Sequence, residues 1–343
     1  NVCFAFFIIL FVMHINNMNL PKKILSWYDN NKRTLPWRIS QNSKRMQFYR
    51  LLSEFMLQQT QVKTVIPYFN NFIEKIPTIE ALAKVNNKKL MKCWEGLGYY
   101  SRARNLKKTA QKIILDFKGN LPDNTEDLKK FPGIGNYTSQ AILAIAFNQP
   151  VIPLDGNVER VLKRVHFLKK EKEITKENLN YKKIFFGKSK RASDYAQAIM
   201  EIGALICKPS SPLCSECPIV EHCESFKKKD FEIKSKNRFH KVKYFEAKIY
   251  KNKDKYLLIK NNKFNFLRNL PIFPMKEVKK NEFKCSLGSK INIKMSNMDM
   301  KIILNKKEKI PKIKNSFMLD KKNTQKMILP SFTKKIFKSV SKH

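Results

Sequence analysis

The sequence predicts an all-α region over residues 20 to 225, followed by a smaller α+β region from about 241 to 343, and three observations carry that division. Up to residue 225 apolar residues recur mostly at i, i+3 and i+4, the period of an amphipathic helix. Beyond 241 they alternate, as in half-buried strands. Between the two, "ESFKKKDFEIKSKNRFHKVK" (224–243) is rich in charge and lacks a sustained apolar face, which predicts a linker over 228–240.

The chain opens on "NVCFAFFIILFVM", an apolar run of about a dozen residues where a membrane span takes about 20. No basic segment precedes the run and no small-residue cleavage site follows it, so it does not read as an export signal. Met18 begins "MNLPKKILSWYDNNKRTLPWR", which reads as an amphipathic helix, and residues 1–17 are expected to be a non-native extension of the reading frame. The first domain then runs over 18–227. Its helices are expected in "RLLSEFMLQQTQV" (50–62), "EALAKVNNKKLMKCWEGL" (80–97), "RNLKKTAQKIILDF" (104–117) and "TSQAILAIAF" (138–147), punctuated by Pro77, Gly96, Gly119, Pro122, Pro132 and Pro153. In the second domain, 241–343, "YFEAKIYKNKDKYLLIKNN" (244–262) alternates around "NKD" like a hairpin, and "KINIKMSNMDMKIIL" (290–304) alternates with a slip near Asn297. No internal repeat is found.

Lys and Arg number 69 against 28 Asp and Glu, a formal charge of +41. The abundance of Lys, Asn, Ile and Phe is the bias expected of an AT-rich genome, so part of that charge is a solvated surface. The remainder predicts strong, salt-sensitive attraction to a polyanion, with nucleic acid the leading partner and an anionic membrane surface the lesser one.

Four of the seven cysteines fall in "CKPSSPLCSECPIVEHC" (207–223), spaced C-x6-C-x2-C-x5-C. A chain of 343 residues with 43% hydrophobic residues can build cores without covalent staples, and Cys3, Cys93 and Cys285 are scattered singly, as in a reducing cytosol. Disulfides are therefore the weakest reading, and a cytoplasmic location is expected. Structural zinc sites commonly bring two close pairs of ligands, whereas only Cys214 and Cys217 form one here; His222 stands beside Cys223, where two adjacent ligands fit one tetrahedral ion poorly. A [4Fe-4S] cube takes four thiolates and tolerates a single loop with uneven spacing, so it is favoured over zinc.

This spacing resembles the iron-sulfur loop of the helix-hairpin-helix DNA glycosylases. The resemblance implies a six-helix barrel with an iron-sulfur subdomain, a [4Fe-4S] cluster held by Cys207, Cys214, Cys217 and Cys223, and Lys208 with the lysines after the loop facing the DNA backbone. "FPGIGNYTSQAILAIAF" (131–147) supports it independently. Gly133 and Gly135 lack side chains, so a turn there can bring backbone N–H groups against a phosphate where the next helix presents its positive end. Such a contact positions the protein on DNA without reading bases.

Cutting a base from deoxyribose calls for one carboxylic acid kept neutral and one kept ionised. Glu54, in "LLSEFMLQQT" at the edge of an apolar stripe, is one helical turn from Leu51 and Leu57, where desolvation can raise a carboxyl pKa; on periodicity alone it is an ordinary helix glutamate. "SEFMLQQTQV" is similar to the segment of MutY-type adenine glycosylases whose glutamate protonates adenine N7. Gln58 and Gln59 match glutamines that enter the DNA stack, and Leu57 joins them in the base pocket. Asp155, in "VIPLDGNVERVL", suits a helix N-cap. "LDGNV" also matches that family's catalytic aspartate, which stabilises the sugar cation, and Asn157 matches a partner of that carboxylate. Bifunctional relatives carry a lysine where Tyr137 stands, and a tyrosine cannot form the imine that precedes strand cleavage, so a monofunctional enzyme is implied. Several MutY-type sequences have a lysine shortly after "LDGNV"; Glu159 replaces it here.

"WEGLGYYSRARNL" (94–106) resembles the family's wedge loop, with Tyr99 the residue that intercalates beside 8-oxoguanine when the adenine is flipped out. "TLPWR" (34–38) resembles the wall of the adenine pocket, which makes Trp37 and Arg38 neighbours of the base. The second domain is expected to be a degenerate Nudix-like domain for lesion recognition, without the Nudix box, and with Ser296 of "MSN" as the contact to 8-oxoguanine. Taken together the resemblance implies a monomer that removes adenine mispaired with 8-oxoguanine or guanine in double-stranded DNA. The alternatives are a mismatch thymine/uracil glycosylase on the same scaffold and a non-catalytic DNA-binding iron-sulfur protein.

Overall fold

A computed structural model describes residues 20–38, 43–168, 190–233, 241–295, 298–324 and 327–340. The chain divides into two compact units, Asn1–Lys84 with Arg104–Ser235, and Val85–Ala103 with Lys236–His343. The excursion over 85–103 was not expected: the sequence reading kept the whole of 18–227 in one domain.

The first unit is helical among its described residues. Its helices are α1 (20–31), α2 (Ser43–Leu57), α3 (Val62–Lys75) and α4 (Ile79–Lys84), then α6, which starts at Tyr100 and runs to Phe117, α7 (Thr125–Lys129), α8 (Asn136–Phe147), α9 (Gly156–Val165), α10 (Ala192–Glu201) and the short α11 (Glu224–Lys227). Helix α5 (Asn87–Cys93) belongs to the second unit. The expected helix over 80–97 is thus two helices. The Asn86 side chain accepts from the Lys89 backbone N–H at 2.8 Å, and a capping asparagine restarts a helix rather than continuing one. Helix α8 packs against α2, α7 and α10, and its residues Ala141–Ala146 are all buried, which makes it the centre of the unit. Leu20, Ile24 and Tyr28 of α1, spaced four apart, lie in one core with Val158, Val161 and Leu162 of α9 and Tyr195 and Ile199 of α10. That core is the floor under the cysteine loop, for Cys207 and Cys217 pack against it.

The second unit holds a seven-stranded mixed sheet: β1 (Lys241–Asn252), β2 (Lys255–Lys260), β3 (Pro271–Ile272), β4 (Met275–Val278), β5 (Ser289–Met295), β6 (Met298–Lys307) and β7 (Ser316–Asp320). Strand β1 runs parallel to β6 from Lys241↔Met298 to Tyr250↔Lys307 and turns tightly into β2 at Asn252↔Lys255, the hairpin the alternation predicts. The stretch 290–304 lies in two antiparallel strands, β5 and β6, with Met295 paired to Met298, on either side of the slip expected near Asn297. Phe245, Ala247 and Ile249, alternate residues of β1, enter a core closed by Phe332, Ile336 and Phe337 of α13 (Ser331–Val340). A further short helix, α12 (Lys280–Cys285), precedes β5. No described helix is long and apolar enough to cross a membrane.

Candidate active site

A cleft of about 1070 Å³ opens in the helical unit. Glu54, Leu57, Gln58, Gln59 and the hairpin glycines Gly133 and Gly135 line it, together with Trp37, Arg38, Tyr137, Asp155 and Asn157. These residues come from three helices and three turns far apart in sequence.

Glu54 is carried by α2 and is only 7% exposed. Burial raises its carboxyl to about 7; the Arg50 guanidinium one turn earlier and a hydrogen bond donated by the Tyr137 hydroxyl pull the other way, and nearby Asp155 adds to the rise. Tyr137 sits on the first turn of α8, and burial holds its phenol well above the ordinary value. Asp155 is the N-cap of α9, as its position after Pro153 predicts. Its Oδ1 accepts from the backbone N–H groups of Asn157 at 2.9 Å and Val158 at 2.7 Å, and its Oδ2 from Asn157 Nδ2 at 3.3 Å. Burial raises the Asp155 pKa, and those three donors oppose the rise by favouring the anion.

The hairpin follows α7, whose N-cap Asn124 accepts from Asp127 N–H. Gly133 has φ +88, and a Cβ there would lie 2.9 Å from Phe55 Cε1, so both its backbone conformation and its neighbour demand glycine. Gly135 caps α8 in an extended conformation with open space beside it. Gln58 Nε2 donates to the Gly133 carbonyl at 3.1 Å and to Thr138 Oγ1 at 3.3 Å, which ties the end of α2 to the hairpin. Gln59 adopts φ +56 in the turn between α2 and α3 and is exposed.

Trp37 is buried against the edge of Phe69, ring centroids 5.3 Å apart. Arg38 does not project freely into the cleft: its Nη2 donates to Glu201 Oε1 at 2.6 Å and its Nη1 to the Arg33 carbonyl at 3.0 Å. Arg33 binds the same carboxylate through Nε at 2.7 Å and Nη2 at 3.0 Å. Glu201, wholly buried at the end of α10, therefore gathers two arginines beneath the cleft, and Arg50 reaches Gln197 there at 3.4 Å. The sequence reading missed Arg33, Arg50, Gln197 and Glu201. The only signal for them was an acid among apolar residues in "AIMEIGALI". Tyr99 lies in the second unit, 39% exposed with φ +47. Ser296 lies outside the described residues.

Cys207, Cys214, Cys217 and Cys223 line a second cavity, walled by Val161, Arg164, Ile202, Ile206 and Ile219 among others. A π-helical turn, Ile202–Ile206, delivers Cys207, and two 3-10 turns, Cys214–Glu216 and Val220–His222, space the other three. His222 does not line the cavity. Burial pushes the Cys217 thiol up to about 12, and the neighbouring sulfurs push the same way, so four thiolates can share this space only around positive charge. Among the described residues no three His, Cys, Asp or Glu side chains are gathered tightly enough to hold a single ion. Four cysteines lining one cavity are the donor set that an iron-sulfur cube takes.

Arginines brace this loop. Arg164 donates to the Lys208 and Pro209 carbonyls, both at 2.6 Å, and approaches Cys207 Sγ at 3.4 Å. Arg160 donates to the Cys207 carbonyl at 2.7 Å and to Asn157 Oδ1 at 2.8 Å, so the loop and the Asp155 cap share one guanidinium. Gly203 allows this close packing, since a Cβ there would stand 2.7 Å from Asn157 Cβ.

The fold and both sites define a base-excision DNA repair protein of the helix-hairpin-helix class. Residues 52–183 match the HhH-GPD superfamily of base excision DNA repair proteins, and residues 207–223 match the iron-sulfur binding domain of endonuclease III. The chain belongs to the adenine DNA glycosylase family. It is 36% identical over 278 residues to the adenine DNA glycosylase of Buchnera aphidicola from Schizaphis graminum, covering 79% of this chain and 78% of that one. It is 40% identical over 215 residues to the mouse adenine DNA glycosylase, where the match spans 60% of this chain and 41% of the relative. A thermostable thymine-DNA glycosylase shares the fold, with a TM-score of 0.54 and 24% identity over 63% of this chain and 99% of that one.

Proposed function

We propose that this protein is a monofunctional DNA glycosylase that hydrolyses the N-glycosidic bond of adenine mispaired with 8-oxoguanine or guanine. The observation that carries the proposal is a buried acid, Glu54, raised to about 7 by burial, lining one cleft with a second acid, Asp155, that three N–H donors hold toward its anionic form. Protonated Glu54 delivers its proton to adenine N7 as the glycosidic bond breaks, so adenine leaves neutral and the sugar is left as an oxocarbenium ion. The Asp155 carboxylate stabilises that cation until water adds to it and yields an abasic site. Tyr137, with no amine, forms no imine, so the strand stays intact.

The hairpin of Gly133 and Gly135 and the free N–H groups at the start of α8 seat a DNA phosphate, and Gln58, Gln59 and Leu57 face the opened stack, with Trp37 and Arg38 at the wall of the base pocket. Tyr99 is the wedge. Cys207, Cys214, Cys217 and Cys223 hold a [4Fe-4S] cluster, which when bound ties the loop 207–223 together through four iron–thiolate bonds. The sheet of residues 241–320 with α13 serves as a Nudix-like lesion-recognition domain, with Ser296 as the contact to 8-oxoguanine. The enzyme acts as a cytoplasmic monomer.

The test is base release from labelled duplexes carrying A:8-oxoG, A:G, T:G and U:G. Release of adenine from the first two, with no borohydride-trapped adduct, is expected. Preferential release from T:G, or none from any duplex while binding persists, overturns the proposal.

A further inference from the structure

The loop that carries Tyr99 is braced twice. From inside, Trp94 is fully buried and its Nε1 donates to the Gly98 carbonyl at 3.0 Å. The Arg102 guanidinium lies over both the Trp94 ring, at 5.6 Å, and the Tyr99 ring, at 5.3 Å. Gly96, Gly98 and Tyr99 all have positive φ, so the turn is tight and Tyr99 sits in a conformation a tyrosine seldom adopts without outside support. From outside, the support comes through the neighbouring residue, Glu95. Its carboxylate is nearly buried, at 7% side-chain exposure, and takes three donors: Lys92 Nζ at 2.7 Å, Lys334 Nζ at 2.8 Å and the Leu329 backbone N–H at 3.3 Å. The last two belong to the other end of the chain. Lys334 is on α13, whose opposite face is anchored in the sheet core by Phe332, Ile336 and Phe337, and Leu329 is itself in that core.

We propose that Glu95 is a positioning residue, a latch by which the C-terminal helix Ser331–Val340 holds the loop 94–100 and so sets Tyr99 for entry into DNA. Tyr99's part in this rests on the reading under Proposed function; the latch itself does not. It gives the α+β unit a second task besides lesion contact, that of stiffening a loop whose sequence lies within the helical region. A carboxylate with three donors is lost unevenly. Removing only Lys334 leaves Glu95 nearly buried with one cation fewer, and the loop end opens more often.

The test compares the full-length parent with Lys334→Glu, which sets two carboxylates against each other at a half-exposed position, with Lys334→Arg, which keeps the pair, and with Glu95→Gln, which keeps an acceptor for Leu329 but no charge. Hydrogen exchange is followed in peptides from 94–103 and 327–340, with α8 as internal reference. Lys334→Glu and Glu95→Gln are expected to speed exchange in both segments about tenfold, leave α8 unchanged and slow single-turnover adenine release, while Lys334→Arg behaves as the parent. Unchanged exchange over 94–103 in Lys334→Glu overturns the latch. Faster exchange with an unaltered release rate overturns its positioning role. A parent that releases no adenine, yet whose exchange responds as stated, supports the latch and overturns the excision reading instead.

Discussion

Glu54 is placed where its charge is expensive, and the consequence has a sign that can be worked out. Its folded pKa, about 7, stands above its unfolded value of 4.5, so the native state binds the extra proton between those limits. Stability from this group is complete below about pH 4.5 and is lost as pH rises through about 7; the full loss is about 3 kcal/mol. Glu54→Gln is therefore expected to abolish adenine release while making the protein more stable at pH 8 by up to that amount, with little gain at pH 4.5, as urea unfolding at the two pH values will show. On the proposed mechanism the same proton sets activity. Single-turnover release is expected to fall as pH rises above about 7, because only the protonated acid can supply a proton to the leaving adenine. Asp155→Asn makes the complementary case. An asparagine still caps α9, so the fold should hold, but it cannot carry charge, and release should drop by at least a hundredfold with duplex binding retained. Both residues could be nominated from sequence only because of the motifs around them. What makes Glu54 an acid is chiefly its burial, with Asp155 from another element adding to the rise, and no local pattern encodes it. Glu201 and Arg33 escaped the sequence for the same reason, and Arg38 was legible only as a neighbour of the base: each reads as a helix-end or loop charge until the chain brings them together.

At the scale of elements the sequence was most legible where backbone chemistry is local. The G-I-G turn after Pro132, the N-cap at Asp155 and the β1–β2 hairpin at "NKD" all form where their residues predict. The break that periodicity does not show is at Asn86, whose side chain caps a new helix. The two hairpin glycines, alike in sequence, differ in structure, and that difference makes a test. Gly133→Ala meets Phe55 and an unfavourable φ, and should cost about 1–3 kcal/mol of stability along with DNA affinity. Gly135→Ala has open space and an ordinary φ, so its unfolding midpoint should match the parent while duplex affinity falls, because the added methyl stands where backbone N–H groups approach phosphate. Thermal unfolding and fluorescence anisotropy on each variant separate the two effects. The cysteine loop, by contrast, was readable as a cluster site from spacing alone, but not the bracing by Arg160 and Arg164, whose partners are backbone carbonyls that carry no sequence signal.

On the scale of the whole molecule, the linear order of the chain hides its division: residues 85–103 leave the helical unit, join the C-terminal one, and return. Alternating hydrophobicity pointed to a strand-rich C-terminal region but could not show that a stretch of helical sequence belongs with it. What composition does govern is long-range attraction. A formal charge of +41 far exceeds what a single phosphate site at the hairpin can use, and much of it must act through the counterion atmosphere of DNA rather than through contacts. This separates two quantities. Binding to undamaged duplex should weaken steeply with salt, by roughly a thousandfold between 50 and 200 mM if about six phosphates are neutralised. The rate of base release from bound substrate should change far less, since Glu54 is buried and screened ions do not reach it. Affinity and single-turnover rate measured on one A:8-oxoG duplex across that salt range are therefore expected to diverge, and a chemical step that slowed in proportion to affinity would mean that the surface charge, and not the two cleft acids, limits the reaction.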